Sequence, residues 1–257
     1  MPFLKFESKS IFYDSHGSGE PLLLLHGFLE NATMWDDFLS DLKSSYQVFR
    51  IDLPGHGKSE NLDRHSMDKM AEVVLFVLDF LSVQKVNIVG HSMGGYVALA
   101  LADKNPKLVK QLMLFFSSAA ADTAEKRTNR DRLKAIVHES KNSFLRHAIP
   151  MLFTSQTRQL YAEKVNLLIA EAQELNTDGI VKTIDGLKTR PDRIHLLEKD
   201  IPVSFVSGKL DEAITLESLK DQHSAKAVKK VWLTENGHMG HIEDRDFCLA
   251  AIRNFMA

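Results

Sequence analysis

Through residues 1–118 short apolar or β-branched runs alternate with longer segments of helical period, and that alternation leaves few folds open to the chain. The runs at 11–14, 22–25, 46–51, 86–89 and 112–116 are too short for helices, and each stops at Asp, His, Gly or Ser. They predict strands. Between them apolar residues recur at helical spacing: Trp35, Phe38, Leu39 and Leu42 within 33–42, and Met70, Val73, Val74, Val77, Leu78 and Leu81 within 67–81. A third, alanine-rich segment at 95–104 stops before Pro106. Apolar strands joined through helices predict an α/β fold, a doubly wound, mostly parallel sheet with helices on both faces.

From 119 to 199 the strand signals vanish, charged residues crowd in, and sets such as Leu133, Ile136 and Val137 or Val165, Leu168 and Ile169 predict helices. Strands return at 203–207 and 228–233, and a last helix is expected over 244–256. The chain therefore divides into an α/β core, 1–118 and 200–257, and a helical insertion, 119–199. Such an insertion is expected to form a lid over the carboxyl ends of the strands, where ligands bind in sheets of this kind.

Composition narrows the classes of function. Hydrophobic residues at 44% and charged residues at 26% match an ordinary soluble globular chain. A formal net charge of -2 offers no attraction to nucleic acid or an anionic lipid surface, so a small-molecule partner is expected. The lone Cys248 rules out an intramolecular disulfide and a cysteine-cluster metal site. Residues 1–7 lack the pattern of a secretory signal, and the most apolar run, 22–25, is far shorter than the roughly 20 residues of a membrane span; a cytoplasmic location is expected.

The sharpest chemical signal is Gly90-His91-Ser92-Met93-Gly94, placed after the strand at 86–89 and before the third helix. A serine in a tight strand-to-helix turn needs small neighbours, and the turn lifts its hydroxyl clear of the sheet. Ser92 is the candidate nucleophile. A serine hydroxyl needs a base, and the base needs an acid to fix its tautomer; in this architecture the chain order is serine, acid, histidine. Asp211 lies just past the strand at 203–207, and His238 just past the strand at 228–233, both on the same rim as Ser92. His241 competes as base but lies nearer the final helix, and Glu212 reads as a solvated loop carboxylate. The strand ending at Phe116 is followed only by Ser117 and Ser118.

Acyl transfer also needs donors for a developing oxyanion. The backbone N–H groups of Met93, after the nucleophile, and of Phe28, in Leu25-His26-Gly27-Phe28, are the candidates. His26 is expected to brace its loop by hydrogen bonding, and His91 to pack. Gly55-His56-Gly57-Lys58-Ser59 ends like a phosphate-binding loop but lacks the first glycine of that pattern, Asp52 standing there, and is read as a turn. No histidine or carboxylate spacing suggests a metal site.

Those motifs, with Asp52-Leu53-Pro54 ahead of the turn and Gly208-Lys209-Leu210-Asp211 and Gly237-His238 near the end, resemble the α/β-hydrolase superfamily in its branch of small capped serine esterases. The likeness runs from about residue 10 onward and is weakest in the helical insertion, which looks like the family's cap. It implies an eight-stranded sheet, a cap between strands six and seven, and an acyl-serine intermediate hydrolysed by water, with no cofactor. Ser92 and Met93 set this chain apart from relatives that use an aspartate nucleophile followed by tryptophan. Ester hydrolysis is the first expectation. Carbon–carbon bond hydrolysis or lyase chemistry on the same residues, and a ligand receptor of the same fold with little turnover, are the alternatives. The pocket is expected between rim and cap, walled by Phe28, Trp35, Met93, Phe144, Leu145, Leu152 and Phe153, the alternative for each cap residue being the cap's own core.

Overall fold

The computed structural model describes residues 2–257. Its strands are β1 (Phe3–Phe6), β2 (Lys9–His16), β3 (Glu20–Leu25), β4 (Tyr46–Ile51), β5 (Val86–His91), β6 (Val109–Phe115), β7 (Val203–Gly208) and β8 (Val228–Thr234). They form one eight-stranded sheet in the order β1-β2-β4-β3-β5-β6-β7-β8. β2 pairs antiparallel with β1 and β4, and every other neighbouring pair is parallel. This is the α/β architecture expected from the alternating pattern.

Successive strand residues point to opposite faces, so an unbroken apolar strand feeds two cores. Leu23 and Leu25 of β3 enter one core and Leu22 and Leu24 the other. In β6, Leu112 and Leu114 likewise oppose Met113 and Phe115. The first core is closed by α2 (Met67–Phe80) and α3 (Met93–Lys104), α2 contributing Met70, Val73, Val74 and Val77. The second is closed by α1 (Asp36–Leu42) and by the C-terminal α10 (Arg245–Met256), through Phe38, Cys248 and Ile252 among others.

Between β6 and β7 the chain forms α4 (Ala124–Ala148), α5 (Ser155–Leu160), α6 (Ala162–Gln173) and α7 (Thr177–Thr189). α4 is kinked at Ser140, whose backbone leaves the helical region (φ -156°, ψ 91°). These helices bury clusters of their own: Val137, Phe144, Leu145, Ile180 and Ile184 pack with Leu29 of the core, and Phe153 and Val165 with Met239. After β7 come α8 (Leu216–His223) and α9 (Gly240–Glu243). Among the described residues no helix is long and apolar enough to cross a membrane.

The structure departs from the sequence pattern in several places. β1 and α8 carry too few buried residues to be seen as strand and helix. α3 begins at Met93, two residues before the expected start, because the turn at Ser92 leads straight into helix. Asp244 leaves helical geometry and separates α9 from α10. Three expected pocket residues lie elsewhere. Trp35 is fully buried beneath the sheet, with ring centroids 5.9 Å from Phe38 and 5.6 Å from Phe115. Leu145 points into the cap's main cluster and Phe153 into the smaller one. Each obeys the stronger demand of a core that would otherwise hold a void.

Trp35 is thus a packing residue, and Trp35→Ala is expected to lower the unfolding free energy by about 3–5 kcal/mol in urea denaturation. An unchanged denaturation midpoint would contradict this placement.

Candidate active site

The turn between β5 and α3 places Ser92 in the left-handed region, at φ 48° and ψ -111°. A non-glycine residue there is strained by about 1–3 kcal/mol and persists only when its surroundings over-determine it. The constraints are visible. Ser92 N–H donates to Phe115 O at 2.9 Å, while Ser92 O accepts from Gly95 N–H at 3.0 Å and from the Ser117 hydroxyl at 2.7 Å. A Cβ on Gly94 would stand 2.5 Å from Leu25 O and 2.8 Å from His26 O, so only glycine lets α3 approach the end of β3 this closely.

His238 and Asp211 are brought together from the loops after β8 and β7. His238 Nδ1 lies 2.7 Å from Asp211 Oδ2, both side chains being buried. A carboxylate acceptor places a proton on Nδ1, so that in the neutral ring Nε2 keeps its lone pair. Asp211 Oδ1 accepts from the N–H groups of Ala213 and Ile214, each at 2.8 Å, which fixes the carboxylate's orientation. Burial works against a charged imidazole, but the neighbouring Asp211 carboxylate, reinforced by Glu30 and Glu243, raises the His238 pKa above its ordinary value. Ser92 and His238 line one cavity of about 470 Å³ between the sheet rim and the cap. Of the expected walls, Phe28, Met93, Phe144 and Leu152 also line it.

The loop carrying Phe28 is held from two sides. His26 donates from Nδ1 to Gly27 O at 2.7 Å and accepts at Nε2 from Leu53 N–H at 2.9 Å, the bracing role expected of it. Asp52 accepts from Ala32 N–H at 2.7 Å and from Lys58 N–H at 2.8 Å, which gives the stretch 52–59 its turn. At N1 of α3, Met93 N–H belongs to the first turn, whose amides have no carbonyl one turn earlier to meet.

Glu30 is the residue the sequence pattern missed. Its buried Oε2 accepts from Gly27 N–H at 2.8 Å and from His91 Nδ1 at 2.7 Å, and His91 Nε2 faces His238 O at 3.2 Å. One carboxylate thus links the Phe28 loop, the Ser92 turn and the His238 loop. Burial alone would raise its pKa, yet the charge and hydrogen bond of His91, with His241 and His26, hold it at about 2. His241, the rejected base, is buried with Nε2 3.6 Å from Glu30 Oε1, and burial lowers its pKa to about 3. Glu30, His91 and His241 gather their ligand-type atoms within 4.8 Å of one another. His91 Nδ1 is engaged by Glu30 Oε2, and its Nε2 faces the His238 carbonyl. Glu212 stays exposed in its loop.

Comparison with known proteins agrees with this architecture. Residues 20–244 match the model of a family described as alpha/beta hydrolase fold. The acetyltransferase component of an acetoin cleaving system from Pseudomonas putida is 30% identical over 230 residues, covering 88% of this chain and 60% of that protein. A pimeloyl-[acyl-carrier protein] methyl ester esterase from Nitrosomonas europaea is 35% identical over 109 residues, 42% of each protein. The chain therefore spans less than two thirds of the length of either relative. Among solved structures, a thermophilic esterase from Thermogutta terrifontis, with malate bound, superposes with a TM-score of 0.89 at 26% identity, covering 96% of this chain and 93% of that one. With its sheet order and its turn at Ser92, the chain belongs to the alpha/beta hydrolase fold family.

Proposed function

We propose that the protein is a serine hydrolase that cleaves carboxylic esters of small molecules through an acyl intermediate on Ser92. The observation that carries this reading is the 2.7 Å bond between His238 and Asp211 at the wall of the cavity that Ser92 also lines. The esterases among the relatives support an ester as substrate.

In this mechanism His238 Nε2 takes the Ser92 hydroxyl proton as Oγ attacks the ester carbonyl. Asp211 steadies the imidazolium that forms. The carbonyl oxygen, now negative, receives the N–H groups of Phe28 and Met93, and the loss of one such donor typically costs about 10²–10³ in turnover. Collapse of the tetrahedral species breaks the ester C–O bond, and His238 returns its proton to the leaving alcohol. A water molecule then attacks the acyl-serine, with His238 again as base, and the carboxylic acid departs with Ser92 restored. The apolar walls exclude bulk water and strengthen the interaction between Asp211 and the imidazolium.

Ser92→Ala is expected to lower kcat on short p-nitrophenyl esters by about 10⁴-fold or more with the circular dichroism spectrum unchanged. A fluorophosphonate probe is expected to label Ser92 alone in peptide mapping; labelling at another serine, or retained turnover in the variant, would overturn the assignment.

The pH profile offers a second check. His238 must be neutral to act as base, so kcat/KM is expected to rise with pH through its pKa, which lies above the ordinary value near 6.5. Asp211→Asn removes the charge that raises it, and the acid limb is expected to move to lower pH while kcat falls by roughly 10³–10⁴. An acid limb that stays in place in this variant would show that another group governs it.

A further inference from the structure

The cavity wall carries charge that the hydrolytic mechanism does not use. Asp122, Lys126 and Arg130 line it, the last two one turn apart on α4. Asp122 is buried and fully engaged, with Oδ1 accepting from Arg190 Nη1 at 2.8 Å and Oδ2 from Arg130 Nε at 3.1 Å. Arg190, seated 4.0 Å over the Tyr96 ring, also donates from Nη1 to Leu187 O and from Nη2 to Ala120 O, while its buried Nε has no partner. Two cations therefore pair with one carboxylate, and the hydrogen bond from Arg130 uses Nε, leaving the fork of its two terminal amino groups for another acceptor. Lys126 Nζ donates to Ala213 O at 3.1 Å, on the loop that follows Asp211.

Like charges crowded at an apolar wall repel one another unless an anion joins them. Burial, together with Arg190 and Arg130, lowers the Lys126 pKa, although Asp122 and Asp211 oppose this. The remaining carboxylate on the lining, Glu30, is committed to His91 and Gly27 and adds no counter-charge at α4. His147, also on the lining, brings no negative charge. The cavity thus carries positive charge on its α4 side, on a lining that also includes apolar residues such as Leu133, Ile136 and Phe144.

We infer that Arg130 and Lys126 form a subsite for a carboxylate at the far end of the substrate's acyl chain, so that the esters this site takes are monoesters of dicarboxylic acids. The inference rests on the ester-hydrolase reading above and names the substrate class of that same site. A carboxylate matches the planar fork of an arginine. A single negative charge also costs less to bring into a largely apolar cavity than a phosphate dianion. The acyl side is favoured because that part stays on Ser92 through both half-reactions, so an interaction with it serves acylation and deacylation alike.

The test compares p-nitrophenyl esters of straight-chain monocarboxylic acids with p-nitrophenyl monoesters of dicarboxylic acids of the same chain length. At the best length the ratio of kcat/KM, acid-tailed over neutral, is expected to reach about tenfold or more, the worth of a charge-assisted hydrogen bond. Arg130→Met and, separately, Lys126→Met are expected to bring that ratio down by about tenfold, and added salt to reduce it. A ratio near one at every length, or a ratio unmoved by both variants, would overturn the subsite. Binding of the same ester pairs to Ser92→Ala separates this from the chemistry. Tighter binding of the acid-tailed member, with no turnover of either by the unmodified protein, would support the subsite and sink the hydrolase reading; turnover of both without preference would do the reverse.

Discussion

The first turn of α3 rests directly on the backbone at the end of β3, Gly94 facing the carbonyls of Leu25 and His26 with no room for a side chain. This contact is where fold and site meet. It brings the two central strands to their 3–5 parallel pairing, Leu25 opposite Gly90, and in the same step sets the Phe28 loop beside the helix N-terminus that follows Ser92. A shift of one residue in that register would turn every side chain of β3 to the wrong core and carry the loop away from the serine. The strained backbone of Ser92 is tolerable because the sheet cores on both sides hold β5 and α3 in place.

Around that contact the site is organised by buried charge. Asp211 fixes one tautomer of His238, and Glu30 collects the Gly27 amide and the His91 ring from separate parts of the chain. A buried carboxylate is costly to desolvate, and leaving it unpaired costs more, so each draws donors from its surroundings. Both Asp211 oxygens are paired, whereas Glu30 pairs through Oε2 alone and has only His241 Nε2, 3.6 Å away, near Oε1. The cation set at α4 differs in kind: Asp122 is satisfied, and positive charge is left over at the cavity wall.

The parts legible in the sequence are those whose physics is local. An apolar run of six residues bounded by turn formers reads as a strand whatever lies around it, and the Ser92 turn announces itself through its glycines. Chain order and a place at strand ends, which need only the topology, single out Asp211 and His238, and the structure brings these two side chains together. Glu30 is not singled out in this way, because a loop carboxylate looks solvated until His91, 61 residues later, is known to face it. The cavity walls were read half correctly for a similar reason. Helical period shows which residues share a face but not which neighbour that face meets, and the break at Ser140 resets the phase of α4 between Val137 and Phe144. Phe144 reaches both the cap cluster and the cavity, whereas the adjacent Leu145 is enclosed by the cluster alone. Trp35 has the amphipathic spacing of its neighbours and lies on the opposite side of the sheet.

The kink also divides the cap into two halves that answer to different anchors. Before Ser140, α4 is tied through Arg130 and Asp122 to Arg190, at the end of α7. After it, the segment leading into α5 is tied to the histidine loop: His238 N–H donates to Leu152 O at 3.0 Å, and Glu243 accepts from Gly237 N–H at 2.9 Å and from Thr154 N–H at 3.2 Å. The second half is therefore coupled by hydrogen bonds to the His238 loop. The half that carries the cations is coupled instead to the Asp211 loop, through Lys126 Nζ and Ala213 O. The insertion's clusters are not sealed off from the sheet: Leu187 of α7 lies in the first sheet core and lines the cavity, and Leu29 and Met239 of the core join the insertion's clusters. The cavity lining is thus held from several directions, by the sheet through Leu187 and by the loops that carry Ala213 and His238.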